Sequence, residues 1–268
     1  MRMVMSCPHT RLSLREDLRS VGVEPGQTLL LHASLRSLGY VCGGPVAVVQ
    51  ALLDALGDSG TLVVPTQTAD NRDPSSMTSP AIPQSWWPAI REHMPAFDPA
   101  VTPSRNMGVI AETVRTWPSA VRSAHPQTSF AAIGYHAVDL MARHDLDSEL
   151  GEASPLKSLE EAGASVLLLG VSYDKCTAFH LAEYRLPSLN RKEKSCAVLG
   201  AQGRQWVSYL GVDLDATSFD TLGMEFERKA GPISVGKVGA ATARLFPIGD
   251  AVAFALDWLL QHRVSVGP

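Results

Sequence analysis

The stretch from Thr28 to Pro65 constrains the fold more than any other part of the chain. Thr28–His32 is a leucine run that is continuous rather than alternating, as suits a strand buried on both faces. A loop carrying Gly39, Gly43 and Gly44 follows. Pro45 then opens a helix that Gly57 closes after Leu56. Thr61–Pro65 is a second apolar strand. Two such strands joined by a helix form a βαβ unit, and open α/β sheets bind ligands outside the carboxyl ends of their strands. The loop after His32 is the first place to look for a site.

The rest of the chain extends this α/β pattern. Thr10–Val21 has helical spacing through Leu12, Leu14, Leu18 and Val21. Gly108–Trp117 reads as a helix and Ser119–Phe130 as an extended polar stretch. Ser154 and Pro155 are an N-cap and first-turn pair for a helix to Glu161, ended by Gly163. Ser165–Gly170 is a buried strand, and a helix runs from near Cys176 to about Arg185. Lys192–Ser208 predicts a hairpin turning near Gly200 and Gly203. Ala243–Phe246 is strand-like, and the helix after Asp250 presents Val252, Ala255, Leu256 and Leu259. Between Thr66 and Thr102 lies a long segment rich in Pro, Trp and Asp, of the kind that serves as a lid or binding loop. The Trp86–His93 piece is expected to pack it down, and Arg122 and His125 to brace it. No linker or repeat divides the chain, so one domain spanning 1–268 is expected.

Composition narrows the partners. Of 268 residues, 45% are hydrophobic and 19% charged, which excludes a disordered chain. A net charge of −4 and a pI near 6.1 argue against a nucleic-acid partner. The four cysteines, Cys7, Cys42, Cys176 and Cys196, form no CxxC pair and read as reduced thiols of a cytoplasmic protein. Met1–Pro8 has no long apolar run, so no leader is expected. Val166–Leu169 and Ala251–Leu260 fall short of the roughly 20 residues a membrane span needs.

The stretch Leu167–Glu183 carries the most chemistry. His180 and Glu183, three apart on a helix, share a face, and a carboxylate beside an imidazole can fix its tautomer as a general base requires. The same pair also reads as a plain surface contact of a helix. Cys176 and His180, four apart, admit a zinc site or a thiolate–imidazole couple, beside simple packing of the cysteine. Asp174 at the loop end could hold a cation. His32–Gly39, a strand end running into a Ser- and Gly-bearing loop with Arg36, suits a phosphate as well as an ordinary turn. Neither GxGxxG nor a Walker motif is present. Pro103–Gly108 is a further polar loop entering a helix.

These residues carry a family resemblance. His32–Gly39 is similar to the first signature of the aminoglycoside 3-N-acetyltransferases, a family unrelated to the GNAT fold. Similar segments follow in order at Gly60–Gln67, Trp86–Trp87 with Ala96–Pro99, Thr102–Gly108, Arg122–Phe130 and Gly151–Leu156. Leu167–Val171 with Asp174, Thr177 and His180–Glu183 comes next, then Gly231–Leu245. The resemblance implies acetyl transfer from acetyl-CoA to the 3-amino group of a 2-deoxystreptamine antibiotic, without a metal, in an assembly that is often dimeric. The fold it implies is a single-domain α/β/α sandwich with a mostly parallel central sheet and a small antiparallel hairpin.

It also implies roles. His180 is the base, Glu183 orients it, and His32 lies near the thioester. His32, Ser34, Leu35, Arg36, Ser37, Ser104, Arg105, Met107 and Gly108 hold the CoA, with the backbone of Ser34 and Leu35 on the pyrophosphate. Asp70, Asp174, Glu183 and Glu227 pair with the polycationic drug. The surplus carboxylates are therefore expected around the drug pocket, and Arg36 and Arg105 on the CoA loops. A same-fold acetyltransferase for another small amine, a zinc amidohydrolase using Cys176 and His180, and a non-catalytic binding module are the other readings.

Overall fold

The computed structural model describes residues 7–78, 80–229 and 233–263. Gly231 and Pro232, at the head of the last family-like segment, and Met1–Ser6 lie outside them. Thr10 caps the first helix, α1 (Arg11–Val21), its hydroxyl accepting from the Ser13 amide at 3.2 Å. Strand β1 (Thr28–Ala33), helix α2 (Gly44–Leu56) and strand β2 (Thr61–Pro65) then form the expected crossover, with β1 and β2 parallel.

Beyond β2 come α3 (Trp87–His93), α4 (Val109–Arg115), β3 (Val121–Arg122), β4 (Phe130–Gly134) and α5 (Ala137–Met141). They are followed by α6 (Pro155–Glu161), β5 (Ser165–Leu169) and α7 (Ala178–Glu183). The chain continues through β6 (Arg191–Gly200), β7 (Gly203–Val212), α8 (Phe219–Lys229), β8 (Ser234–Val238), β9 (Ala241–Pro247) and α9 (Ile248–His262). Seven strands form one sheet in the order β3-β4-β2-β1-β5-β9-β8, while β6 and β7 form a separate antiparallel ribbon. The sheet is parallel at its centre, where β1 pairs with both β2 and β5, and antiparallel towards both edges.

The leucine run of β1 is explained by two apolar layers. Leu29 and Leu31 face the core built on α1, α2 and α4, and Leu30 faces the core built on α5 to α9. Strands β2 and β5 alternate in the same way: Leu62, Val64, Leu167 and Leu169 on one side, Val63, Val166 and Leu168 on the other. Helices therefore cover both faces, which gives the expected α/β/α layering.

Strands β4 and β8 and helix α5 were not expected as such. Strand β4 is Phe-Ala-Ala-Ile-Gly, whose small residues give no β signature, although it is buried from Phe130 to Ile133. The edge strand β8 carries Gly236 and Lys237 and exposes Val235, so its alternation is faint. The Ser119–Phe130 stretch resolves into the two residues of β3 and a loop. Helix α9 begins two residues before Asp250.

The long segment after β2 is secured partly as expected. No residue of α3 is buried. Arg122 braces the segment as expected: its guanidinium donates to the carbonyls of Thr66 at 2.7 Å and Thr102 at 2.5 Å and lies over the Phe97 ring. Asn71 pins the ribbon, its side-chain amide giving and receiving hydrogen bonds with the Ala197 backbone, both at 2.9 Å.

Gly170, which ends β5, is a fixed point of the layout. Its φ is +69°, and a Cβ there would lie 2.4 Å from the Ser37 Cβ and 3.1 Å from that of Ala241. Gly170→Ala is expected to lower stability by about 1–3 kcal/mol through backbone strain alone, with the clash added. Urea unfolding checks this, and an unchanged midpoint would contradict the account.

Candidate active site

β1 runs to β2 on one side and pairs with β5 on the other, so the β1/β5 boundary is where strand order reverses. A cavity of about 530 Å³ opens there, at the carboxyl ends of these strands. Four segments wall it, one of them the end of β2 with Val64, Pro65 and Gln67. His32 and the Ser34–Arg36 turn come from β1, Asn106–Ala111 from the loop entering α4, and Val171 with Asp174–Thr177 and His180 from the loop and helix after β5.

The Ser34–Arg36 turn is held from behind. The Ser34 amide donates to the Leu169 carbonyl at 3.0 Å, continuing the β1–β5 pairing by one residue. It is therefore not free for a ligand. The Leu35 and Arg36 amides, which open the one-turn helix Leu35–Leu38, have no backbone acceptor among the described residues. Ser37 is spent on structure: its hydroxyl donates to the Gly170 carbonyl at 2.9 Å and lies 3.0 Å from the Ser34 hydroxyl. Across the cavity, Asn106 adopts a left-handed backbone with φ of 62°, and Gly108, with φ of 86°, precedes α4.

The base candidate sits on α7. His180 Nδ1 is hydrogen bonded to Glu183 Oε2, so Nε2 is the nitrogen left for chemistry on the cavity side. Glu183 itself is 4% exposed and lies behind the ring, outside the cavity lining. His32 lies 3.2 Å from the Thr177 hydroxyl through Nε2. Burial, reinforced by the neighbouring His180, pulls its pKa down to about 3, so His32 is a neutral hydrogen-bonding group.

Several expected site residues stand elsewhere. The Ser104 hydroxyl and amide both donate to Glu112 at 2.6 and 3.1 Å, which fixes the loop to α4. Arg105 reaches the Asp70 carboxylate at 3.3 Å, both side chains being exposed, and neither lines the cavity. Glu227 is turned to Arg244 at 2.7 Å and the Tyr173 hydroxyl at 3.1 Å. Asp174 does line the cavity, paired with Lys175 at 2.6 Å. The lining thus holds one carboxylate against two cations, Arg36 and Lys175. The expected concentration of acid is not found there, because many carboxylates pair with basic side chains elsewhere. Sequence reasoning did not assign Gln67, Lys175 or Thr177 to the site, and reached Asn106 only as part of the Pro103–Gly108 loop. All four lie within family-like segments or beside a residue already chosen, which was the available signal.

The thiol alternative loses its premise. Cys176 is 1% exposed, and burial pushes its pKa up to about 12 despite its place before α7. Among the described residues no group of three or more His, Cys, Asp or Glu side chains could hold a metal, so the Cys176–His180 pair has no third ligand.

A sequence model of the family described as aminoglycoside 3-N-acetyltransferase matches residues 30–260. The chain belongs to the aminoglycoside 3-N-acetyltransferase family. It is 41% identical over 256 residues to the SPbeta prophage-derived aminoglycoside N(3')-acetyltransferase-like protein YokD of Bacillus subtilis strain 168, covering 95% of this chain and 94% of that one. The crystal structure of YokD superposes with a TM-score of 0.94, at 40% identity and 96% coverage of each chain. Aminoglycoside N(3)-acetyltransferase III of Pseudomonas aeruginosa is 36% identical over 262 residues, 95% of each chain. The structure of AAC-IIIb in a binary complex with CoASH matches with a TM-score of 0.86 at 31% identity, covering 98% of this chain and all of the other. As a family member the protein is an acyltransferase. Among the described residues no helix is long and apolar enough to cross a membrane.

Two further histidines hold the loop between β3 and β4. His125 Nδ1 accepts from the Gln127 and Thr128 amides at 3.1 and 3.0 Å, and Nε2 faces the Leu146 carbonyl at 3.1 Å. This geometry assigns the proton to Nε2, and burial pulls the pKa down to about 3. His144, partly buried, is drawn down to about 4 by the same loss of solvent.

His32 and His125 are neutral when folded and take up a proton when unfolded below about pH 6.5. Their depressed pKa values therefore leave stability intact above pH 6.5 and erode it as pH falls from there towards 3. The expected slope is about 1.4 kcal/mol per pH unit for each, or about 3 for the pair. Urea midpoints between pH 8 and 4.5 check this; a flat profile down to pH 5 contradicts it. A thiol count is a second check. Exposed Cys7 and Cys42 should react with Ellman's reagent in the native protein, and buried Cys176 and Cys196 only after unfolding.

Proposed function

We propose that the protein transfers the acetyl group of acetyl-CoA to the 3-amino group of a 2-deoxystreptamine aminoglycoside, with His180 as general base. The observation that carries this reading is the buried Glu183 carboxylate on His180 Nδ1, which leaves Nε2 on the cavity side where the two parallel strands end. An aminoglycoside amine is mostly protonated at neutral pH, and a proton must leave nitrogen before or during attack. Nε2 accepts it. The nitrogen attacks the thioester carbon, the C–S bond breaks, and the imidazolium returns the proton to the departing thiolate.

The cavity's charge balance supports an anionic cosubstrate. Arg36 and Lys175 suit phosphate groups, as do the unused Leu35 and Arg36 amides. The Thr177 hydroxyl, beside neutral His32, is a donor for the developing oxyanion. In this reading Asp70 and Glu227 serve the fold, and Asp174 is the carboxylate best placed for a cationic substrate. The cavity draws on residues from Leu31 to His180, which supports one catalytic domain. Unbridged cysteines and dependence on acetyl-CoA support a cytoplasmic location.

A second reading keeps the chemistry and changes the acceptor. One lining carboxylate, already paired, is few for a polycation, and favours a smaller amine. Thiol release from acetyl-CoA with a panel of aminoglycosides and simple amines separates the two. The first reading expects release with at least one aminoglycoside, an N3-acetylated product by NMR, and a fall of roughly 10²- to 10⁴-fold in rate for His180→Ala. Release with small amines alone selects the second.

A further inference from the structure

The dyad carboxylate is gripped from both sides. Glu183 Oε2 meets His180, while Oε1 accepts from the Arg263 guanidinium and, at 3.2 Å, from the Asp215 amide. Arg263 ends α9, the helix that packs along α7, where the last helical carbonyls favour a cation. Its other terminal nitrogen donates to the Asp215 carbonyl and the Ser218 hydroxyl, each at 2.6 Å. The guanidinium lies 5.7 Å over the Phe219 ring, and that ring lies 4.8 Å from the His180 ring. One rigid fork thus joins the end of α9, the loop before α8 and the carboxylate behind the imidazole. Arg263 also lies beyond the 30–260 stretch matched by the family's sequence model.

We propose that Arg263 is a positioning residue for acetyl transfer, fixing the Glu183 carboxylate behind His180 Nδ1 and sharing its charge, so that the carboxylate orients the imidazole without trapping a proton on it. The proposal rests on the reading of His180 as the base. A desolvated carboxylate with no cation behind it would stabilise imidazolium strongly, and a base that stays protonated cannot accept a proton from the amine. With Arg263 in place the carboxylate's charge is shared. The orienting hydrogen bond is kept and its pull on the proton is moderated.

Among the described residues, the other charged and titratable groups around the dyad do not supply this cation. His32, on β1, is held neutral by burial. Lys175 is paired with Asp174, and Cys176 keeps its proton. Asp215, 3.9 Å from the guanidinium, adds negative charge.

The test compares Arg263→Gln, Arg263→Lys and Ser218→Ala with the wild type. NMR titration of the His180 ring needs no acceptor substrate and reads the effect directly. Arg263→Gln is expected to move the His180 titration, and the acid limb of the pH–rate profile, up by roughly one pH unit. Its kcat at pH 7 should fall roughly tenfold or more, with KM for acetyl-CoA changed less than about twofold. Arg263→Lys should restore most of both. An unmoved His180 titration in Arg263→Gln overturns the proposal, whatever happens to the rate. If that variant does not fold, Ser218→Ala carries the test: a smaller upward shift supports the proposal and no shift overturns it. His180→Ala separates the two levels. Retained activity in that variant defeats the base reading itself, whereas a dead His180→Ala with an unmoved Arg263→Gln titration defeats only the role of Arg263.

Discussion

The parallel pairing of β1 with β5 is the constraint on which the rest depends. Its register sets His32 opposite Leu168 and Ala33 opposite Leu169, so both strands end at the same height. The Ser34 amide and the Ser37 hydroxyl then tie the first loop to Leu169 and Gly170, the last residues of the second. Two loops far apart in sequence are thereby held at hydrogen-bonding distance, and His32 meets Thr177 as a result. Glycine at 170 is the local requirement, because the chains pass too closely there for any side chain.

Burial decides which of the titratable groups near this junction can act. His32 and Cys176 lie in the same cavity wall as His180, yet one is kept neutral and the other is kept as a thiol by loss of solvent. His180 differs in having a carboxylate on one nitrogen and the cavity before the other. The residue types alone do not make that distinction. Three side chains that could each serve as acid, base or nucleophile are sorted by depth and by partner.

Sequence patterning revealed what depends on short-range chemistry. The β1–α2–β2 crossover was legible from its leucines, glycines and proline, and β5 with the capped α6 from the same kinds of signal. The His180–Glu183 pair was legible because helical spacing alone brings the two together. What escaped depends on distant partners. Strand β4 is strand because β2 and β3 flank it, not because alanines prefer to be extended. Glu227 and Ser104 looked available for ligands, but Arg244 and Glu112 occupy them, and no local pattern announces those partners. Arg263 carries no motif; its place is set by where α9 ends.

The β6–β7 ribbon is joined to the body by means other than sheet pairing. Asn71 bonds to its backbone as a peptide would, and Lys194 reaches the buried Glu149 at 2.6 Å while Tyr209 meets Gln127 at 2.7 Å. A two-stranded ribbon is marginal alone, so these anchors give it a fixed place. They lie at the inner face, whereas the turn end beyond Leu199 is exposed. Length and outer composition at that tip are uncoupled from the geometry of β1 and β5. The architecture thus separates an interchangeable part from an exacting one: a new outline can be fitted at the ribbon without retuning the machinery beneath it.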